Sequence, residues 1–340
     1  MRPRSYLLAG LAFVVLIAAA LAAYWVWAAD RLETAIAEWA EEQRRRGYVI
    51  AYQGPTIAGF PVKLAVGFEG PQVAAPERWR WDGPPVQGEA WVWRPLTITG
   101  SFPGRHSIAR EVKGVPVEAV LDAAEADAEV TLRIDGQVER AEAALAHIVW
   151  RDSVVGKATA ESFTVRLGPH EAASGQVLAR LPLAGRVTGF VLPEAVETPL
   201  GRDLPLARLE ATLEGDIPSG DTREALARWR DAGGKLELHE VELQWGPLEL
   251  SGEGTLSLDR DMRPLGAFTA RIAGLSETLD ALAAADIIEP QQTFAIELAL
   301  MALAGQRDAQ GRKIVSLPVT LQGGRLYLGP VPLLRLDPVL

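Results

Sequence analysis

Residues 235–258 read KLELHEVELQWGPLELSGEGTLSL, with apolar side chains at nearly every second position. Leu236 and Leu238 keep one phase, and Val241, Leu243 and Trp245 take the other. A period of two sends alternate side chains to opposite faces of a pleated strand, one apolar and one polar. The change of phase at His239–Glu240 predicts a β-bulge or a bend in a long strand. Gly246-Pro247 supplies a turn. Leu248, Leu250, Leu256 and Leu258 then continue in one phase, with Gly252 and Gly254 between them. This is a hairpin of long strands, each buried on one face.

The same alternation extends in both directions. Downstream it covers Phe268, Ala270 and Ile272; Phe294, Ile296, Leu298 and Leu300; and Val315, Leu317, Val319 and Leu321. Upstream it covers Leu64, Val66 and Phe68; Trp91 and Trp93 about Val92; Leu96 and Ile98; Val130, Leu132 and Ile134; Phe163, Val165 and Leu167; and Leu209, Ala211 and Leu213. Three short helices are predicted between strands, at 117–128, 222–232 and 276–285. A strand running into Gly-Pro recurs at Gly54–Pro55, Gly246–Pro247 and Gly329–Pro330, which suggests similar hairpins. The proline cluster at 193–205 is the best place to divide the body. The expected fold is mainly β: an extended, curved antiparallel sheet of groove, open-barrel or sandwich type with a few short helices.

A different period governs the N-terminus. Residues 6–29 form an uncharged apolar run preceded by Arg2 and Arg4. A helix of that length is roughly 36 Å long, enough to cross a hydrocarbon core of about 30 Å. Trp25 and Trp27 stand at its far end, where amphipathic rings prefer the membrane–water boundary. A secretory signal has an apolar region of about 7–15 residues before its cleavage site, so this longer run reads as an uncleaved anchor. Leu32, Ile36 and Trp39 fall at helical spacing beyond it, acidic residues open this segment, Arg44–Arg46 close it and Gly47 is a C-cap candidate. The expected organisation is a transmembrane anchor at 1–29, a membrane-proximal helix at 30–46 and a β-rich body at 47–340. The arginines before the run favour a cytoplasmic N-terminus and an exported body, which in a Gram-negative cell is periplasmic.

Composition narrows the function. The chain carries 34 Lys and Arg against 44 Asp and Glu, a net charge of −10 that becomes −12 without Arg2 and Arg4. An acidic body repels phosphate backbones, so no nucleic-acid partner is expected. The absence of cysteine excludes disulfides, thiolate nucleophiles and cysteine metal sites. His106, His147, His170 and His239 are far apart and lack metal-ligand spacing. Ser153 and Lys157 stand one residue too far apart for a serine–lysine motif, and Ser174-Gly175 lacks the nucleophile-elbow pattern. Asp122, Glu125, Asp127 and Glu129 lack the central glycine of a calcium loop and read as a solvated helix face. No cofactor, metal or catalytic residue is expected, and the chain reads as non-enzymatic.

What remains is the apolar sheet face, which needs a cover: a second sheet, helices or a ligand. Folded on itself, the sheet makes an ordinary core. Curved into a trough, it would take an acyl chain, with Leu236, Leu238, Leu248, Leu250, Leu256, Leu258, Phe268 and Ile272 as its wall.

Residues 47–61, GYVIAYQGPTIAGFP, and the ending GGRLYLGPVPLLRLDPVL resemble the first and last signatures of a bacterial family, domain of unknown function 2125. Gly54, Pro55, Gly59, Phe60 and Pro61 carry the motif. Residues 243–259, LQWGPLELSGEGTLSLD, more loosely resemble strands of the AsmA-like envelope proteins. That second resemblance implies an inner-membrane anchor, a β-rich periplasmic body and a part in phospholipid transport or envelope integrity. The expected partners are therefore phospholipid or another apolar ligand and the inner membrane. The alternative is a scaffold that pairs with other envelope proteins through its sheet edges.

Overall fold

A computed structural model describes residues 3–75, 79–112, 115–172, 178–216, 222–288, 306–307 and 312–339. The chain forms two compact units, one built from residues 1–137 and 149–154, the other from 138–148 and 155–340.

The first unit opens with α1 (Pro3–Arg45), an unbroken helix of 43 residues and about 65 Å. It passes from the apolar run into the charged segment as one continuous helix, as the sequence predicts. Its end is a Schellman cap: Gly47, at φ 91°, donates to the Arg44 carbonyl, and Tyr48 donates to the Gln43 carbonyl. The strands are β1 (Val49–Ala58), β2 (Lys63–Ala75), β3 (Trp79–Asp82), β4 (Val86–Trp91), β5 (Arg94–Ser101), β6 (Gly104–Val112) and β7 (Val115–Leu132). All their described pairings are antiparallel. β2 pairs with β1 along one edge and with both β4 and β3 along the other. β5 and β6 in turn join β4 and β3 to the two halves of β7. Prolines make the breaks between these half-strands: Pro84-Pro85 separate β3 from β4, and Pro103 separates β5 from β6. None can donate to a ladder.

β7 corrects one expectation. Residues 117–128 are strand, not helix. Val117, Ala119 and Ala123 are buried at period two; the phase then slips, and Ala126 is buried next. The slip falls where the partner changes from β6 to β5, and Ala126 accepts a hydrogen bond from the Phe102 amide there. Alanine is a strong helix former, and here neighbouring strands on either side of the slip override that preference. The acidic side chains thus line a strand, with Asp122 held by Arg105 at 3.0 Å and Arg151 at 2.6 Å. Trp91 likewise ends β4 and Trp93 stands in the turn before β5, so the two do not share a strand.

The second unit holds part of β8 (Val138–Asp152), then β9 (Gly156–Leu167), β10 (Arg180–Val191), β11 (Asp203–Glu214), α2 (Thr222–Asp231), β12 (Lys235–Trp245), β13 (Leu248–Leu258), β14 (Pro264–Ala273), α3 (Leu275–Ala284), β15 (Gln306–Arg307), β16 (Lys313–Gln322), β17 (Arg325–Leu328) and β18 (Val331–Arg335). These pair antiparallel in the order β9–β10–β11–β12–β13–β14–β16–β17–β18. The bulge is where the phase flip puts it: β12 skips His239 against β11, and its register with β13 shifts between Leu238 and Val241. The predicted strand at Phe294–Leu300 lies outside the described residues. The 193–205 segment is the connection from β10 into the start of β11, where Arg202 donates to the Leu192 carbonyl at 2.9 and 2.8 Å.

Both predicted helices of this unit form. α2 buries Ala225 and Trp229, and the indole N–H of Trp229 donates to the Glu214 carbonyl at 2.8 Å. α3 buries Leu275, Thr278 and Leu279. Leu275 and Leu279 join Ala270, Ile272, Ile288, Val315, Leu317, Val319 and Leu328 in a hydrophobic core. The opposite face carries charge: Lys235 bridges Glu214 and Glu237, and Arg208 bridges Glu210 and Glu240.

Candidate functional site

The sequence-predicted wall shares one face of the β12–β13–β14 sheet. Leu236 lies opposite Leu256, Leu250 opposite Ile272, and both Leu238 and Phe268 flank Gly254. Helix α3 and the neighbouring strands take up part of that face: Ile272 belongs to the buried core, and Leu248, Leu250 and Phe268 pack against it. Leu236, Leu256 and Leu258 are half-buried and Leu238 is buried, further along and outside that cluster. A shallow hollow of about 250 Å³ beside Leu250 is lined by Glu242, Glu249, Ser251 and Arg271, so its character is mixed.

A larger and more apolar space lies in the first unit, between the outer part of α1 and the sheet it crosses. It measures about 400 Å³. Ala35, Ile36 and Trp39 line it on the helix side; Ile50, Tyr52, Phe68, Val73, Trp81 and Val86 form its floor. Strand register explains why these floor residues meet: Ile50, Val73 and Trp81 are directly opposed across β1, β2 and β3, and Phe68 opposes Val86. Directly opposed residues project to the same face. The Tyr52 and Phe68 rings meet edge to face at 5.2 Å, and Trp81 stacks at 6.0 Å on His106. His106 is buried and stays neutral readily, because burial pushes its pKa below the usual value against weaker support from the Phe102 carbonyl. Apolar lining with few polar groups, at this size, is the usual character of a small-molecule pocket.

Two opposed bulges shape the floor. Ala51 pairs with Gln72 but Gln53 pairs with Glu69, which leaves an extra residue in β2 at Gly70-Pro71. Thr56 then pairs with Gly67, which leaves one in β1 at Gly54-Pro55 and restores the register. Bulges bend the strand that carries them, and the first one borders the cavity through Pro71. The motif residues Gly54 and Pro55 therefore form a bulge, whereas Gly246-Pro247 and Gly329-Pro330 are two-residue hairpin turns with glycine at φ 55° and 58°.

Two ties hold the helix over this floor. At the outer end Arg44 donates to the Ile50 carbonyl at 2.9 and 3.2 Å. At the other end the Trp25 indole N–H donates to the Lys63 carbonyl at 2.8 Å, and its ring meets Phe60 edge to face at 5.4 Å. The rest of the motif makes this second tie. Gly59, at φ 95°, turns β1 into β2, its carbonyl accepts from the Val62 and Lys63 amides, and a Cβ there would lie 2.6 Å from the Lys63 carbonyl oxygen.

The cavity went unread in the sequence, although its helix wall was visible as the Ile36–Trp39 spacing. The four histidines do not gather. His170 faces Asp216 at 3.2 Å, His239 faces Thr212 at 2.8 Å and His106 lies beneath Trp81. Among the described residues no group of three His, Asp or Glu could hold a metal ion. One helix is long and apolar enough to cross a membrane or to serve as a signal sequence, with a mean hydropathy of 1.4 and none of its best window buried.

A family described as an uncharacterized protein conserved in bacteria (DUF2125) matches residues 25–337. No curated protein and no solved structure matches the chain, and the AsmA-like resemblance finds no support. The chain belongs to the DUF2125 family.

Proposed function

We propose that this DUF2125 protein is held in the bacterial inner membrane by α1, exposes its β-rich body to the periplasm, and binds the acyl part of a phospholipid in the cavity beneath the helix. The reading rests on one observation: the apolar cavity of about 400 Å³ is roofed by the helix segment that continues from the apolar run. A lipid leaving the bilayer along α1 would meet this cavity first. The proposed role is carriage of lipid or support of the envelope.

The test uses the full chain purified in mild detergent, with bound lipid extracted and weighed by mass spectrometry. Phospholipid should be retained by the wild type and depleted in Ala35→Trp, whose indole fills the cavity from the helix side. Equal retention by both would mean lipid held only around α1 and would overturn the cavity reading. A C-terminal reporter active only in the cytosol would overturn the topology. If the body binds no lipid but captures an envelope protein through a sheet edge, the scaffold reading takes its place.

A further inference from the structure

The end of the sheet nearest Trp25 carries large, exposed apolar side chains. Phe60 is 58 % exposed, Val62 43 %, Trp91 40 % and Trp93 64 %. They come from two turns joined to each other: the Val92 amide donates to the Val62 carbonyl, and the Trp91 and Trp93 rings lie 4.8 Å apart. Lys63 completes the group, with its ammonium 6.0 Å from the Trp91 ring centre and paired with Glu89.

The position of these turns along α1 follows from the two ties. From Trp25 to Arg44 the helix rises about 28 Å. From Ile50 to Ala58 strand β1 advances about 27 Å in the opposite direction. The helix and β1 are therefore matched in length, so the turn at 59–62 stands level with Trp25, before the apolar run ends at Ala29. A side chain at that level meets the headgroup region if α1 spans a bilayer.

We propose that the 59–62 and 92–93 turns dip into the outer boundary of the same bilayer that holds α1, so that the body has a second membrane contact. This rests on the membrane-anchored reading above. Aromatic rings with a polar edge are favoured at this depth, and Lys63 and Arg94 have stems long enough to keep their charges in water. Two contacts on the first unit would fix its tilt against the lipid surface.

The native chain has no cysteine, so single cysteines can be placed without background. The full chain carrying Trp93→Cys, Ile17→Cys or Val49→Cys is labelled with an environment-sensitive fluorophore and reconstituted in phosphatidylcholine–phosphatidylglycerol vesicles. Quenching is measured with lipids spin-labelled near the headgroup and with aqueous iodide. Ile17 lies in the apolar run; Val49 is 57 % exposed at the start of β1, beside the Arg44 tie and at the opposite end of the strand from the 59–62 turn. The inference expects position 93 to be quenched severalfold more by lipid than position 49 and to be shielded from iodide. Lipid quenching at 17 but not at 93 overturns the second contact and leaves the anchor standing. Absence of lipid quenching at 17 overturns the anchor and this inference together. Val62→Cys repeats the test on the other turn, should Trp93→Cys disturb the ring pair.

Discussion

Replacing Gly59 by alanine tests how the motif turn is held against the helix. At φ 95° an L residue is strained, at a cost of about 1–2 kcal/mol. The added Cβ would also stand 2.6 Å from the Lys63 carbonyl oxygen and 2.7 Å from its Cγ. Relieving that overlap means moving backbone, about 1–3 kcal/mol for an overpacked site. The displaced oxygen is the one that accepts the Trp25 indole N–H, a bond contributing about 1 kcal/mol. The total is roughly 3–6 kcal/mol. Gly47→Ala is the matched control: its φ is 91°, but nothing lies within 4 Å of the new Cβ, so only the conformational cost of about 1–2 kcal/mol applies. Denaturant unfolding of both variants in mild detergent, followed by tryptophan fluorescence, should show Gly59→Ala the less stable by about 2–4 kcal/mol. Equal losses would refute the proposed close approach of the turn to Lys63.

Leu279 is 1 % exposed at the centre of the α3 core, so Leu279→Ala should lower stability by about 2–5 kcal/mol, read from the denaturant midpoint. His106 is buried with its pKa pushed below the ordinary value, so the unfolded chain takes up the proton first. Stability should therefore fall as pH drops below about 6.5, and a pH series on His106→Phe should lack that decline. Asp122 is held below the usual carboxylate range by hydrogen bonds from Arg105 and then Arg151, so its contribution is present above about pH 4 and is lost as pH falls through the lowered folded value. Asp122→Asn should flatten the acid side of the stability profile measured by circular dichroism.

The strands of the second unit were legible because large apolar residues alternate with polar ones and leave one phase. Even the irregularity at His239 could be placed from the change of phase, and the register against both neighbouring strands shows it to be a bulge. β7 was misread because its buried positions are alanines spaced among acids, a pattern that fits a helix as well as a strand until the partners are known. The cavity was hidden for a related reason. Its walls are ordinary apolar positions, and what makes them a site is the bulge at Gly70-Pro71 and a helix brought back across the sheet by Arg44 and Trp25. The motif residues were legible as a motif but not in their work, because Gly59 acts through an atom of Lys63.

The central claim is that the cavity between α1 and the first sheet receives an acyl chain. Its most direct measurement is photo-crosslinking of the full chain in vesicles with a phospholipid carrying a diazirine in its acyl tail, followed by peptide mapping. Labels on the peptides that carry Ile36, Trp39 and Trp81, reduced in Ala35→Trp, are the predicted result. Labels confined to residues 6–29, with none on the cavity wall, would contradict the account.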